Sequence, residues 1–153
     1  MSKTKITVFV GVFLLSVVAG ALFLKNRGGL THGPSVEVDW RLLGELDYIT
    51  GKATSELQAL DGQEVRIPGF MVPLEDNAKR VVEFLLVPSP QACIHVPPPP
   101  PNQMVLVEMD ESSNAKVEFG PVWVYGKLSL HSKRHLYGES SFTMKGMTIE
   151  QYR

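Results

Sequence analysis

The stretch "PVWVYGKLSL" (residues 121–130) alternates with period two. Val122, Val124, Gly126, Leu128 and Leu130 fall on one face, and Trp123, Tyr125, Lys127 and Ser129 on the other, because successive strand side chains point to opposite sides. That is the pattern of a strand with one face against a core. The glycine in the middle of the apolar face marks a place where the strand bends or another backbone comes close.

Working outward, four more segments carry strand signals. "EVRIPGFMV" (64–72) alternates until Pro68-Gly69, which reads as an edge bulge. "VVEFLLV" (81–87) is nearly all apolar, as expected of a strand covered on both faces. "QMVLVEM" (103–109) and "SFTMKGMTI" (141–149) complete the set, and "EDNAK", "DESSNA" and "YGES" supply turn chemistry between them. Ahead of the strands, Asp39 is placed to cap a short helix through "WRLLGEL", with Trp40, Leu43 and Leu46 at helical spacing. Thr54 or Ser55 caps a second turn through "ELQAL", ended by Asp61-Gly62. Five short strands, several with an internal glycine, and one or two short helices predict a mainly β fold: a small, strongly curved, OB-like five-stranded barrel, with a two-sheet sandwich as the alternative.

The first 27 residues are of another kind. Ile6 to Leu24 carries no charge, and as a helix would span about 28 Å, close to a bilayer's hydrocarbon core of about 30 Å. Lys3 and Lys5 precede it, and Lys25 and Arg27 follow it. With the free amino terminus the leading side is the more positive, which predicts a cytoplasmic N-terminus and an exported domain. The expected organisation is a transmembrane anchor over 1–27, a tether over 28–36 containing Gly28, Gly29, Gly33 and Pro34, and a periplasmic barrel over 37–153. Ala19-Gly20-Ala21 also fits a signal-peptide cleavage site. That alternative leaves the same domain free in the periplasm instead of attached to the inner membrane.

Charge excludes one partner class. The whole chain has 15 basic and 16 acidic residues. Without the four basic residues of the leading segment, the remainder carries 11 against 16, a net −5. Nucleic-acid recognition needs clustered Lys and Arg, so an acidic domain is a poor candidate.

The chemistry-bearing stretch is "ACIHVPPPPPN" (92–102), with the single cysteine Cys93, His95 two positions on, and prolines from Pro97 to Pro101. In extended backbone i and i+2 share a face, so a thiolate and an imidazole are aimed at one point. Sulfur and imidazole suit zinc or copper, zinc before copper, and not calcium or magnesium. The prolines, each fixed near φ −65°, form a stiff polyproline II rod that holds this segment in one geometry. Two ligands do not complete a zinc site. His131, at the end of the 121–130 strand, is the best third ligand. His135 follows it beyond Lys133 and Arg134, whose like charge repels a cation, and His32 lies in the tether.

Three other readings compete with the metal site. In the first, Cys93 packs as a small buried hydrophobe and the prolines cover a sheet edge. In the second, His95 activates Cys93 for thiol chemistry. In the third, the proline run docks the aromatic groove of a membrane transporter or another envelope protein, or is itself covered by Trp123 and Tyr125. Gly-x-Ser-x-Gly and His-Glu-x-x-His signatures are absent, so no enzyme is predicted.

"LDGQEVRIPGFMVPLE" (60–75), "FLLVP" (84–88), "ACIHVPPPPPNQMV" (92–105) and "VWVYGKL" (122–128) together resemble DUF3299, a bacterial envelope family known as domain of unknown function 3299, over roughly residues 37–152. The resemblance implies an exported or lipid-anchored protein of a Gram-negative bacterium and hints at transition-metal handling beside an uptake system. It implies no activity. The lipoprotein cysteine of exported relatives is missing here, which leaves attachment to the apolar helix.

Overall fold

We analysed a computed structural model of the chain, which describes residues 35–74, 80–90, 97–110 and 115–152. The expected anchor, nearly all of the tether, Cys93 and His95 lie outside the described residues. No helix among the described residues is long and apolar enough to cross a membrane.

The five expected strands form, each within a few residues of its expected bounds. They are β2 (Glu64–Pro73), β3 (Glu83–Val87), β4 (Val105–Met109), β5 (Val122–Ser129) and β8 (Phe142–Gln151). Three short strands are added: β1 (Val36–Glu37), β6 (Lys133–His135) and β7 (Gly138–Ser140). The compact unit begins at Ser35, and Val36, counted with the tether above, already pairs in parallel with Val65 of β2. The strand order is β1-β2-β3-β4-β8-β5, with β5 returning to pair with β2. The sheet is thereby a closed five-stranded barrel, and the sandwich alternative is excluded. All pairings round the barrel are antiparallel except β4 with β8, which is parallel.

Strand β2 closes the ring by serving two partners. Glu64 to Gly69 pairs with β5, and Phe70 to Pro73 pairs with β3. Pro68-Gly69, expected to interrupt the strand as a bulge, instead marks this hand-over within a continuous strand. A Cβ on Gly69 would lie 2.7 Å from the Val87 carbonyl oxygen and 2.9 Å from Leu86 Cδ1, so only glycine lets β3 come this close. The actual bulge lies between β5 and β8, where the register shifts between Tyr125 and Gly126 and leaves Met147 as the extra residue. Here Gly126 faces Gly146. A Cβ on Gly126 would run into the Lys145 carbonyl and lie 2.7 Å from Met144 Cγ. The central glycine of "PVWVYGKLSL" is therefore the bend that its position predicts.

The inner face of the barrel holds the main core: Val65, Ile67, Phe84, Leu86, Val107, Val124, Leu128 and Phe142 are all fully buried. Two helices of one turn each, α1 (Trp40–Leu43) and α2 (Ser55–Gln58), add Leu43 and Leu57 to it. Their caps are the expected ones. The Asp39 carboxylate accepts from Leu42 N at 2.8 Å, and the Thr54 hydroxyl from Leu57 N at 3.3 Å. Trp40 packs on the core and donates its indole N–H to the Pro68 carbonyl at 2.6 Å. A second apolar cluster lies on the other face of the sheet, formed by Leu85, Val87, Met104 and Leu106.

Candidate functional site

The end of the proline run is fastened to the barrel. Pro97, Pro98 and Pro100 are exposed, and Pro99 is half-buried. Pro100 has φ −62° and ψ 154°, the polyproline II conformation expected for the rod. The chain then turns through a short 3-10 helix, Pro101–Gln103. Asn102 Nδ2 donates to the carbonyls of Gly44 at 3.2 Å and Leu46 at 2.9 Å, while Gln103 Nε2 donates to that of Trp40 at 3.1 Å. These amides bind carbonyls at and just past the end of α1, and that of Trp40 also accepts from Gly44 N at 3.0 Å. On the other side, Ser141 N donates to the Pro101 carbonyl at 2.9 Å. A largely exposed proline segment, Pro97 to Pro100, thus adjoins a point held by side chains and backbone.

His131 is exposed just beyond β5 and lines a cavity of about 280 Å³ with Glu108, Lys127, Lys133 and Lys145 among its walls. Three lysines and one carboxylate line the cavity, and a divalent cation beside His131 would meet the repulsion of the lysines. Glu108 receives Lys133 and Lys145 at its two carboxylate oxygens. The hydrogen bond from Lys133, followed by that from Lys145, holds its pKa below the ordinary glutamate value. Lys133 also reaches Glu83 at 3.5 Å, and its pKa is raised, chiefly by the hydrogen bond to Glu108. Among the described residues no group of three or more His, Cys, Asp or Glu side chains is placed to hold a metal ion.

His135 does not line that cavity. It ends β6, in a hairpin with β7 that sequence reasoning read as loop. Its Nδ1 accepts from Tyr137 N at 3.2 Å, which puts its proton on Nε2, a buried atom without a hydrogen-bond partner among the described residues. Burial lowers its pKa.

The aromatic outer side of β5 is built into a ladder across three strands. Arg66 of β2 lies over the Trp123 ring at 4.7 Å, and Trp123 stacks on Tyr152, after β8, with centroids 5.1 Å apart. Arg66 is paired with Glu37 of β1 at 2.7 Å, and Tyr125 donates to Glu150 at 3.0 Å. The Arg66 pKa is raised by hydrogen bonds to Tyr125 first and Glu37 second. Sequence reasoning found Trp123 and Tyr125 but missed Arg66, whose place beside them depends on the register of β2 against β5.

A family model described as a protein of unknown function (DUF3299) matches residues 47–151. No curated protein matches the chain. Among solved structures, the chain is similar to the crystal structure of a DUF3299 family protein from Pseudomonas aeruginosa PAO1. The two share 29% sequence identity with a TM-score of 0.62, over 79% of this chain and 98% of that one.

Proposed function

Because this chain belongs to the DUF3299 family, whose description names no activity, we propose a role from its own surface: it is an OB-like barrel that displays a proline rod as a docking element. The order β2-β3-β4-β8-β5 with closure on β2 supports the OB-like assignment, since that fold is a five-stranded Greek-key barrel. The uncharged run from Ile6 to Leu24 anchors it in the inner membrane, with the barrel in the periplasm. The partner is an envelope or transporter protein with an aromatic groove of the kind that takes polyproline II segments.

One observation carries this reading: Pro97, Pro98 and Pro100 are exposed while the rod's end is tied down by Asn102 and Gln103. A rod already ordered in the free protein loses little conformational entropy on binding. The zinc reading, with Cys93 and His95 as ligands and His131 as the third, is the competing proposal, and both are tested on the full chain.

A photo-crosslinking residue is placed in cells at position 98, with position 52 as the control. Docking predicts a discrete envelope-protein adduct from position 98 alone, abolished by Pro97→Gly combined with Pro100→Gly without loss of the barrel's melting transition. Absence of the adduct would overturn docking. Elemental analysis of the purified protein supplies the other arm. Stoichiometric zinc that disappears in both Cys93→Ala and His95→Ala assigns the segment to the metal instead.

A further inference from the structure

We propose that the outer face of β5 and β8 carries a binding site for a phosphate-class oxyanion, built by Lys127, Ser129, His131, Thr143 and Lys145. The register makes the site. Lys127 stands directly opposite Lys145, and Ser129 directly opposite Thr143. Alternation puts Lys127 and Ser129 on one side of β5, and Thr143 and Lys145 on the matching side of β8. All four, with His131, line the cavity of about 280 Å³ described above.

Like charges placed directly opposite across a sheet oppose pairing. Here they occur twice in one row running over four strands. Glu83 faces Glu108, Glu108 faces Lys145, and Lys145 faces Lys127. The two carboxylates have their counter-ion: Lys133, from the β6–β7 hairpin, reaches both. The two ammonium groups share no such bridge. Lys145 is engaged with Glu108, and Lys127 makes no ion pair among the described residues. An anion between Lys127 and Lys145 completes the row as Lys133 completes its other end. The Ser129 and Thr143 hydroxyls and the His131 imidazole supply further donors at the same place.

The donor set also selects the ligand. Lysine ammonium groups act as point charges, without the flat fork by which arginine grips a planar carboxylate. Several single donors converging from different sides suit a tetrahedral oxyanion. The source is either a free phosphate or the phosphate of a lipid headgroup. This site is independent of the proline rod and survives failure of the docking proposal.

The test uses the full chain in detergent, with inorganic phosphate titrated calorimetrically against a chloride control of equal ionic strength, because screening alone affects exposed charges. A second arm titrates glycerophosphoglycerol, the soluble headgroup of phosphatidylglycerol, in the same format, because the apolar Ile6–Leu24 run would carry the full chain onto any vesicle. The informative variant is Lys127→Glu. It removes the like-charge contact and gives Lys145 a carboxylate, so its melting temperature should hold or rise while phosphate affinity falls at least about tenfold. Saturable binding of phosphate or of the headgroup, whichever is the tighter, lost in Lys127→Glu with the fold intact, supports the site and identifies the source. Heats equal to those of chloride for both ligands would overturn it. So would zinc binding that requires His131, since that residue would then serve a cation.

Discussion

Strands β3 and β5 flank the same strand, β2, yet their outward side chains meet different surroundings. On β3, Leu85 and Val87 point away from the barrel core and are as buried as the residues that point into it, joined by Leu106 of β4. On β5 the corresponding positions are Trp123, Tyr125, Lys127 and Ser129; Tyr125 is buried against its neighbours, and the other three are half-buried or exposed. One wall of the barrel is apolar on both sides, and the other has a core side and a polar side. The polar wall is where charge and aromatic groups are available for recognition, and the apolar wall is where stability is concentrated. A barrel wall with a single buried face leaves half of its residues free of packing duties.

Substitutions that treat the two walls alike should expose this difference. Leu106→Ala, on the outward side of β4, should cost about 2–5 kcal/mol, as for a core leucine. Lys127→Ala, outward on β5, should stay within about 0.5 kcal/mol. Urea denaturation midpoints at constant m-value read both, and equal losses would erase the distinction.

A smaller effect is expected where the polar wall bends. Gly126→Ala forces a methyl against the Lys145 carbonyl and Met144, and should cost about 1–3 kcal/mol by overpacking. At Gly120 an added Cβ meets nothing within 4 Å among the described residues, so Gly120→Ala should be nearly silent in the same urea titrations.

The smallest of the three expected losses is electrostatic and pH-dependent. The Glu108 pKa is lowered in the folded chain by Lys133 and then Lys145. Its contribution is therefore complete above the unfolded glutamate value of about 4.3 and is lost as pH falls through the lower folded value. Glu108→Gln should cost about 1 kcal/mol at neutral pH and flatten that part of the acid limb. An unchanged acid limb would show that the Glu83–Lys133–Glu108–Lys145 network contributes no net stability.

Much of this architecture is legible in the chain because each main strand carries its own signal. The alternation of "PVWVYGKLSL" predicts β5 and its faces, and the apolar run of "VVEFLLV" predicts a strand covered on both sides, as β3 is. Strand β1 has two exposed residues, too few for any periodicity. It is held by the backbone pairing with β2. Strands β6 and β7 are polar, and the read of "YGES" as a turn missed that its Gly138–Ser140 pairs back on Lys133–His135. The polar site was hidden for a different reason. Lys127 and Lys145 are eighteen positions apart, and they face each other only because the bulge at Tyr125/Gly126 shifts the register. Pairing across a bulge is a property of two segments together.

The double engagement of β2 has a consequence for how the molecule assembles during synthesis. Its first half emerges early, and β1, already made, pairs with Val65 and Arg66 along one edge. The opposite edge of the same residues waits for Tyr125 and Gly126, some sixty positions later. Until then Val65 and Ile67 lack the strand that seals the ring. Ring closure joins segments some sixty positions apart, and non-local pairing of this kind is slow, in the millisecond-to-second regime of β-rich topologies; the interval before it is when an open sheet edge is exposed to wrong partners.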